Sequence, residues 1–371
     1  MAVRSAAAAV AASNDGQHGT QHGTQHGAEE GEIVTTQPDT TALPAFGTVP
    51  APVMVVAQTT DGVWGPARAQ PVDELRIHPF AHALHYGTAG FEGLKAHRGV
   101  DGVVRLFRHD RNIERLRRTA QLLHLPLPPA ELVDAAIREV VAANLDVTPP
   151  APGALYVRPL LLGTEPNIGA AAAPSSDALL AVLASPVGDY FSGGGRALTL
   201  LIETDRPRTT PQFGEAKAGA NYAQALTPTL EARARYGADQ VLFAPDGEVQ
   251  ETGAANFLLL DDDRVVTRAL DSTFLHGVTR DAVLTLARDL GYRVEERTVT
   301  VDELRTWDGE AALSGTAAVL AGVGRLVFGD DTVTLGDGGV GPTTTRLRDA
   351  LQAIQRGEAA DVHGWTEPVN G

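Results

Sequence analysis

Apolar runs of strand length alternate with stretches of helical apolar spacing along this chain, which restricts it to folds where helices cover mixed sheets. TVPAPVMVVAQTTDGVWG, GALYVRPLLLG and DALLAVLASPV predict strands, and DGVVRLFRHDRNIERLRRTAQLL a strand running into a helix. PAELVDAAIREVVAANL sets Leu132, Val133, Ala136, Ile137, Val140 and Val141 on one helical face, with Glu131 and Asp134 early, where they suit the positive end. Further on, ALTLLIETDR reads as a strand and NYAQALTPTLEARARYG as largely helical. DQVLFAPDGEVQETGAANFLLLDDDRVVTRAL reads as strands joined by turns at Pro245-Asp246-Gly247 and Asp261-Asp262-Asp263, the triple aspartate being a solvated hairpin turn rather than a metal site. A helix and strand follow in GVTRDAVLTLARDLGYRVEERTVTV, then a last helix in GPTTTRLRDALQAIQRG. The expected fold class is α/β (α+β).

Composition divides the chain further. Residues 1–45 are Ala-rich and then repetitive (QHGTQHGTQHG) and read as a disordered low-complexity arm, in which His18, His22 and His26 would trap metal only adventitiously. Residues 46–186 are expected to form a smaller N-terminal α+β domain, 187–196 a linker around three consecutive glycines, 197–358 a larger domain, and 359–371 a tail. The glycines lack the G-x-G-x-x-G spacing of a dinucleotide loop.

The chain of 371 residues is 43% hydrophobic, enough for two real cores. A net charge of -16 with scattered arginines argues against a nucleic-acid partner, which needs clustered cations on one face. No apolar run approaches the roughly 20 residues of a membrane span, and the alanine-rich start lacks the Leu, Ile and Phe of a secretory signal, so a cytoplasmic protein is expected. With no cysteine, disulfides, zinc thiolates and cysteine nucleophiles are excluded.

Of 30 basic residues only Lys95 and Lys217 are lysine. Guanidinium stays protonated, whereas a lysine amine can lose its proton and attack a carbonyl. Lys217 lies in the small-residue stretch GEAKAGANYAQAL.

Seven segments in order, HALHYGTAGFEGLKAH, NIERLRRTA, YVRPLLLG, EAKAGANY, EVQETGAANF, LHGVTRDAVLTLA and LSGTAAV, resemble landmarks of the branched-chain amino acid aminotransferases, pyridoxal 5'-phosphate (PLP) enzymes of fold type IV. The resemblance spans roughly residues 50 to 357. It implies two α/β domains with PLP at their interface, a homodimer or higher homo-oligomer, and small-molecule amino acids and 2-oxo acids as substrates. It places the Schiff-base lysine at Lys217, which also shuttles the proton, and leaves Lys95 as a surface residue. Glu251 would keep the PLP ring nitrogen protonated, so that the ring accepts electrons as the substrate Cα proton leaves. Tyr222 would hydrogen-bond the phenolic oxygen. Arg115, the backbone of Gly277, Val278 and Thr279, and Thr316 would hold the phosphate.

On the substrate side the resemblance implies an aromatic pocket of Tyr86, Phe91, Tyr156 and Tyr190. Arg158 would receive the distal carboxylate of glutamate or 2-oxoglutarate in a ping-pong cycle, and the backbone of Thr316 and Ala317 the α-carboxylate. No metal is expected. Ala220 stands where many relatives have glycine, so the lysine loop is expected to sit slightly differently; GTAAVLAGVG lacks a common proline, and Ala255 replaces an acid of some relatives. Two rivals share the fold: a lyase acting on an aminated chorismate, and a transaminase for D-amino acids or simple amines. A third is a binding scaffold without turnover, against which the joint presence of Lys217, Glu251, Arg115 and Tyr222 argues.

Overall fold

A computed structural model describes residues 46–188 and 195–369; the expected arm and Tyr190 lie outside them. The expectation of a mixed α/β fold holds, because the apolar runs are long enough to cross a sheet and the periodic stretches are amphipathic. Among the described residues there are two sheets and eight α-helices, all within one compact unit. The helices are α1 (His82–Tyr86), α2 (His109–Leu122), α3 (Ala130–Ala142), α4 (Gly219–Gln224), α5 (Leu226–Tyr236), α6 (Val278–Asp289), α7 (Val301–Thr306) and α8 (Pro342–Gln355).

The first sheet has nine strands, built on the antiparallel pair Ala154–Gly163 and Ala178–Val187. Val133, Ala136, Ile137, Val140 and Val141 of α3 are buried against Val55, Leu155, Val157 and Leu180, while Leu132 is only partly covered. Each of the valines and the isoleucine stabilises the fold by about 1.5–3 kcal/mol relative to exposure. Register sets chemistry here. Lys95 pairs with Tyr156 and Phe91 with Leu160 across the sheet. Thr366–Pro368, within the segment expected as a tail, adds a strand beside Val104–Phe107 at this sheet's edge.

The second sheet has eight strands, with Leu198–Glu203, Val319–Phe328 and Glu310–Gly315 at its centre. Helices α6 and α8 bury Val283, Leu347 and Leu351 against Leu258, Ala312 and Leu320. The start of α8 has no side-chain cap of its own. Instead both carboxylate oxygens of Glu310 accept from the backbone N–H groups of Thr343 and Thr344, each at 2.8 Å, placing a negative charge on the positive end of the helix. Both expected turns form. Asp246 and Gly247 take positive φ, and Asp261 accepts from the backbone N–H groups of Asp263 and Arg264 between two antiparallel strands. Among the described residues no helix is long and apolar enough to cross a membrane.

Candidate active site

Lys217 lies in the extended segment just before α4, and both its backbone groups are engaged across the molecule. Its N–H donates to Thr119 Oγ1 at 3.0 Å and its carbonyl accepts from Phe91 N–H at 2.9 Å. The side chain thus starts from a fixed backbone and enters a cavity whose walls include Arg115, Glu251, Asn256, Gly277, Thr279 and Thr316. The amine donates to the Tyr222 hydroxyl at 2.7 Å and lies 5.0 Å from the centroid of the Phe91 ring. Ala220, expected to disturb this loop, sits in the first turn of α4. Helical φ accommodates a methyl without strain, so a glycine is not required there.

Glu251 is 1% exposed. One carboxylate oxygen accepts from Leu275 N–H at 3.0 Å and lies 2.6 Å from Arg208 Nη1; the other accepts from Asn256 Nδ2 at 3.1 Å. Burial pushes its carboxyl upward, and the charge of Arg208 with the Leu275 N–H pulls back without cancelling the rise. Asn256 also donates to Leu275 O at 2.8 Å, bracing the strand end that leads to Gly277. A Cβ on Gly277 would lie 2.0 Å from Asn256 Oδ1, so no larger residue fits without displacing that brace.

The opposite requirement, donors for an anion, is met by the start of α6. Gly277 is its N-cap and offers no side-chain cap, leaving the N–H groups of the first turn directed outward, with the positive end of the dipole behind them. Arg115 lies nearby but is engaged: Nε and Nη2 donate to Glu92 at 2.7 and 2.8 Å, and Nη1 to His276 O at 2.8 Å. Two of a guanidinium's five N–H bonds remain. Glu92, wholly buried, also accepts from Asn112 at 2.7 Å. Burial alone would push its carboxyl up; the charge and hydrogen bonds of Arg115 more than offset that and hold it below the ordinary range.

Thr316 lies in the turn between Glu310–Gly315 and Val319–Phe328, and its hydroxyl donates to Gly93 O at 2.9 Å, away from the role of phosphate donor expected of it. Its wall-mate Ser314 has a buried hydroxyl without a partner among the described residues. The turn closes on Val319 at φ 60°, a strained conformation for a β-branched residue. Lys95 is not the surface residue expected: it is partly buried and donates to Ala317 O at 2.8 Å, fastening the first sheet to this turn.

Of the expected substrate residues, Phe91, Tyr156 and Arg158 come together. Arg158 lies 4.6 Å from the Phe91 centroid and donates to the Tyr156 hydroxyl at 2.8 Å. Tyr86 does not join them. It is 37% exposed, its hydroxyl donates to Ile168 O, and it is not in the wall of the Lys217 cavity described above. Arg208, Glu92 and Asn256 had no role in the sequence reading. Glu92 stands inside one of the seven landmark segments, whereas the partner of Arg208 lies 43 positions away and leaves no local signal.

The cavity offers an amine, a buried carboxylate, an uncapped helix start and an unpartnered hydroxyl, a set that fits an aldehyde-bearing heteroaromatic phosphate. Residues 90–326 match the sequence profile of the family described as Amino-transferase class IV. The chain belongs to that family. Class IV aminotransferases similar to it include the branched-chain-amino-acid aminotransferase of Mycolicibacterium smegmatis, 37% identical over 345 residues, covering 89% of this chain and 93% of that one. That of Mycobacterium tuberculosis is 39% identical over 341 residues, covering 87% and 91%. Among solved structures, the T.th. branched-chain amino acid aminotransferase with pyridoxamine 5'-phosphate superposes with a TM-score of 0.72 at 28% identity, covering 86% of this chain and 99% of that one. The same protein has been solved with N-(5'-phosphopyridoxyl)-L-glutamate and with 4-methylvaleric acid, at TM-scores of 0.70 and 0.71. This class IV enzyme is therefore a PLP-dependent aminotransferase, with the fold type IV architecture expected of it.

Proposed function

We propose that the enzyme moves the amino group of leucine, isoleucine or valine to 2-oxoglutarate in a ping-pong cycle at Lys217. The observation that carries this reading is the Phe91 ring, with the Lys217 amine 5.0 Å from its centroid and the Arg158 guanidinium 4.6 Å away. An apolar surface and a fixed cation thus stand beside one reactive amine. Tyr156 and Arg158 also line a cavity of about 420 Å³ with Phe46, Val49, Val72 and Leu183. Such a wall accepts an aliphatic side chain. A distal carboxylate would turn to Arg158, which keeps N–H bonds beyond those it gives Tyr156. The ligands of the T.th. relative, an aliphatic acid and a glutamate adduct, show the same pairing of tastes in that protein.

When bound, PLP supplies an aldehyde for an amine to capture and a ring that accepts electrons as the Cα proton leaves. Lys217 Nζ would hold the cofactor covalently, then carry the proton between substrate Cα and the cofactor's C4′ carbon, steadied by the Tyr222 hydroxyl. Glu251 would face the ring nitrogen, its ionised form favoured by a positive charge there. The first turn of α6 at Gly277, Val278 and Thr279 and the free N–H bonds of Arg115 would hold the phosphate. The N–H groups of Thr316 and Ala317 would receive the α-carboxylate. The working form in this reading is a cytoplasmic homodimer, with domains at 46–186 and 197–358.

Leucine with 2-oxoglutarate should yield glutamate, and Arg158→Met should raise the KM for 2-oxoglutarate well above that for leucine. Pyruvate from an aminated chorismate, without glutamate, would replace this reading with the lyase.

A further inference from the structure

One cleft beside the cofactor cavity gathers five guanidinium groups in its wall. It has a volume of about 260 Å³, and Arg108, Arg111, Arg115, Arg118 and Arg280 line it, against the two carboxylates of Glu114 and Asp281. Neither Lys217 nor Glu251 belongs to its wall. Arg111, Arg115 and Arg118 recur at i, i+4 and i+7 of α2, so they share one face of that helix. Like charges at that spacing destabilise a helix unless something answers them.

Each of the five guanidiniums has one carboxylate partner, Arg115 on Glu92 included, but these pairs do not use every N–H group. Arg108 is 8% exposed; its Nη2 donates to Asp281 at 2.6 Å, and its Nη1 is buried with no hydrogen-bond partner among the described residues. Arg280 is 2% exposed, with Nη2 on Glu296 and Nε likewise without a partner among them. Arg111 and Arg118 stand half-exposed at the rim, in 3.0 Å ion pairs with Glu114 and Glu215 respectively. Pairs so open to water are weak and exchange readily with a better anion. Leu270, 45% exposed, adds an apolar patch to the wall.

We propose that this cleft is a second anion site, taking a phosphorylated small molecule whose phosphate lies among Arg108, Arg111 and Arg118 and whose organic part rests on Leu270. Guanidinium forks match phosphate oxygens two at a time, and several around one dianion give selectivity over monovalent ions. The cleft shares Arg115, Gly277 and Val278 with the cofactor cavity, but Arg108, Arg111 and Arg118 do not line that cavity, so they remain open to a ligand in the holoenzyme.

The test is calorimetric titration of the PLP-loaded enzyme with pyrophosphate in a low-salt, phosphate-free buffer, with cofactor content followed by visible absorbance. One saturable site per chain is expected, and Arg111→Gln combined with Arg118→Gln should weaken it on the order of tenfold while PLP content stays unchanged. No saturable heat, or the same affinity in the double variant, would overturn the proposal. So would binding that appears only after PLP is removed, since that assigns it to the cofactor's own phosphate position. Displacement by chloride at matched ionic strength as readily as by sulfate would mark an adventitious ion only and would also overturn it.

Discussion

Glu92 offers a direct test of how the cavity is held in shape. Its carboxylate is wholly buried, gives both oxygens to Arg115 at 2.7 and 2.8 Å and accepts from Asn112 at 2.7 Å. Removing one member of a buried, hydrogen-bonded ion pair leaves the other charge without compensation and costs about 3–5 kcal/mol. Glu92→Ala should therefore lose about that much stability in urea unfolding of the apoenzyme at neutral pH, in addition to weakening PLP binding. Replacing the pair with apolar residues should cost much less than the two single changes summed. Glu92→Leu and Arg115→Met, singly and together, should thus give a coupling energy of about 2 kcal/mol or more. The pH dependence has a defined sign. Arg115 holds the Glu92 carboxyl below its ordinary value of 4.5, so its stabilising contribution is complete above pH 4.5 and disappears as pH falls through the folded-state value. A single-variant loss below about 1 kcal/mol, or additive single changes, would refute the view that this pair positions Arg115.

Three further outcomes follow from the same geometry. His97 is buried, and burial, with the charges of Lys95 and Arg356, depresses its imidazole to about 3, so the folded state resists a proton that the unfolded chain accepts near 6.5. Stability should then fall by about 2 kcal/mol between pH 7 and pH 5 on this group's account, and His97→Gln should remove that part of the slope in denaturant titrations at the two pH values. Glu310→Gln takes the charge and one acceptor from the start of α8 and should cost about 1–2 kcal/mol by urea unfolding; a loss within about 0.5 kcal/mol, the range of a neutral surface change, would deny Glu310 the capping role. Gly277→Ala drives a methyl into the Asn256 amide that braces Glu251, so PLP affinity should drop by roughly tenfold or more in a fluorescence titration, equivalent to about 1.4 kcal/mol.

Periodicity made the elements legible, and chemistry made the lysine legible. The α3 face appears as read because a helix buried on one side must repeat its apolar residues at 3.6, and five of the six named residues are fully covered. The Asp261 turn was visible because its hydrogen bonds reach only two and three residues along the chain. Lys217 stood out because arginine cannot do its chemistry, and Tyr222, five residues on, falls within reach of its amine. What stayed hidden depends on long separations. Arg208 meets Glu251 only after two helices and a strand have been laid down, and Lys95 reaches Ala317 across 222 positions. Lys95 read as surface because its burial comes from a distant turn rather than from its own strand. Within this chain Tyr86 stands apart because the local chain turns its hydroxyl to Ile168.

The central claim is that Lys217 is the amine that holds the cofactor. Borohydride reduction of the PLP-loaded enzyme, followed by proteolysis and mass mapping, should place a phosphopyridoxyl group on the peptide containing Lys217 and leave Lys95 unmodified. Label on Lys95, or a protein that binds PLP yet carries no label after reduction, would contradict the account.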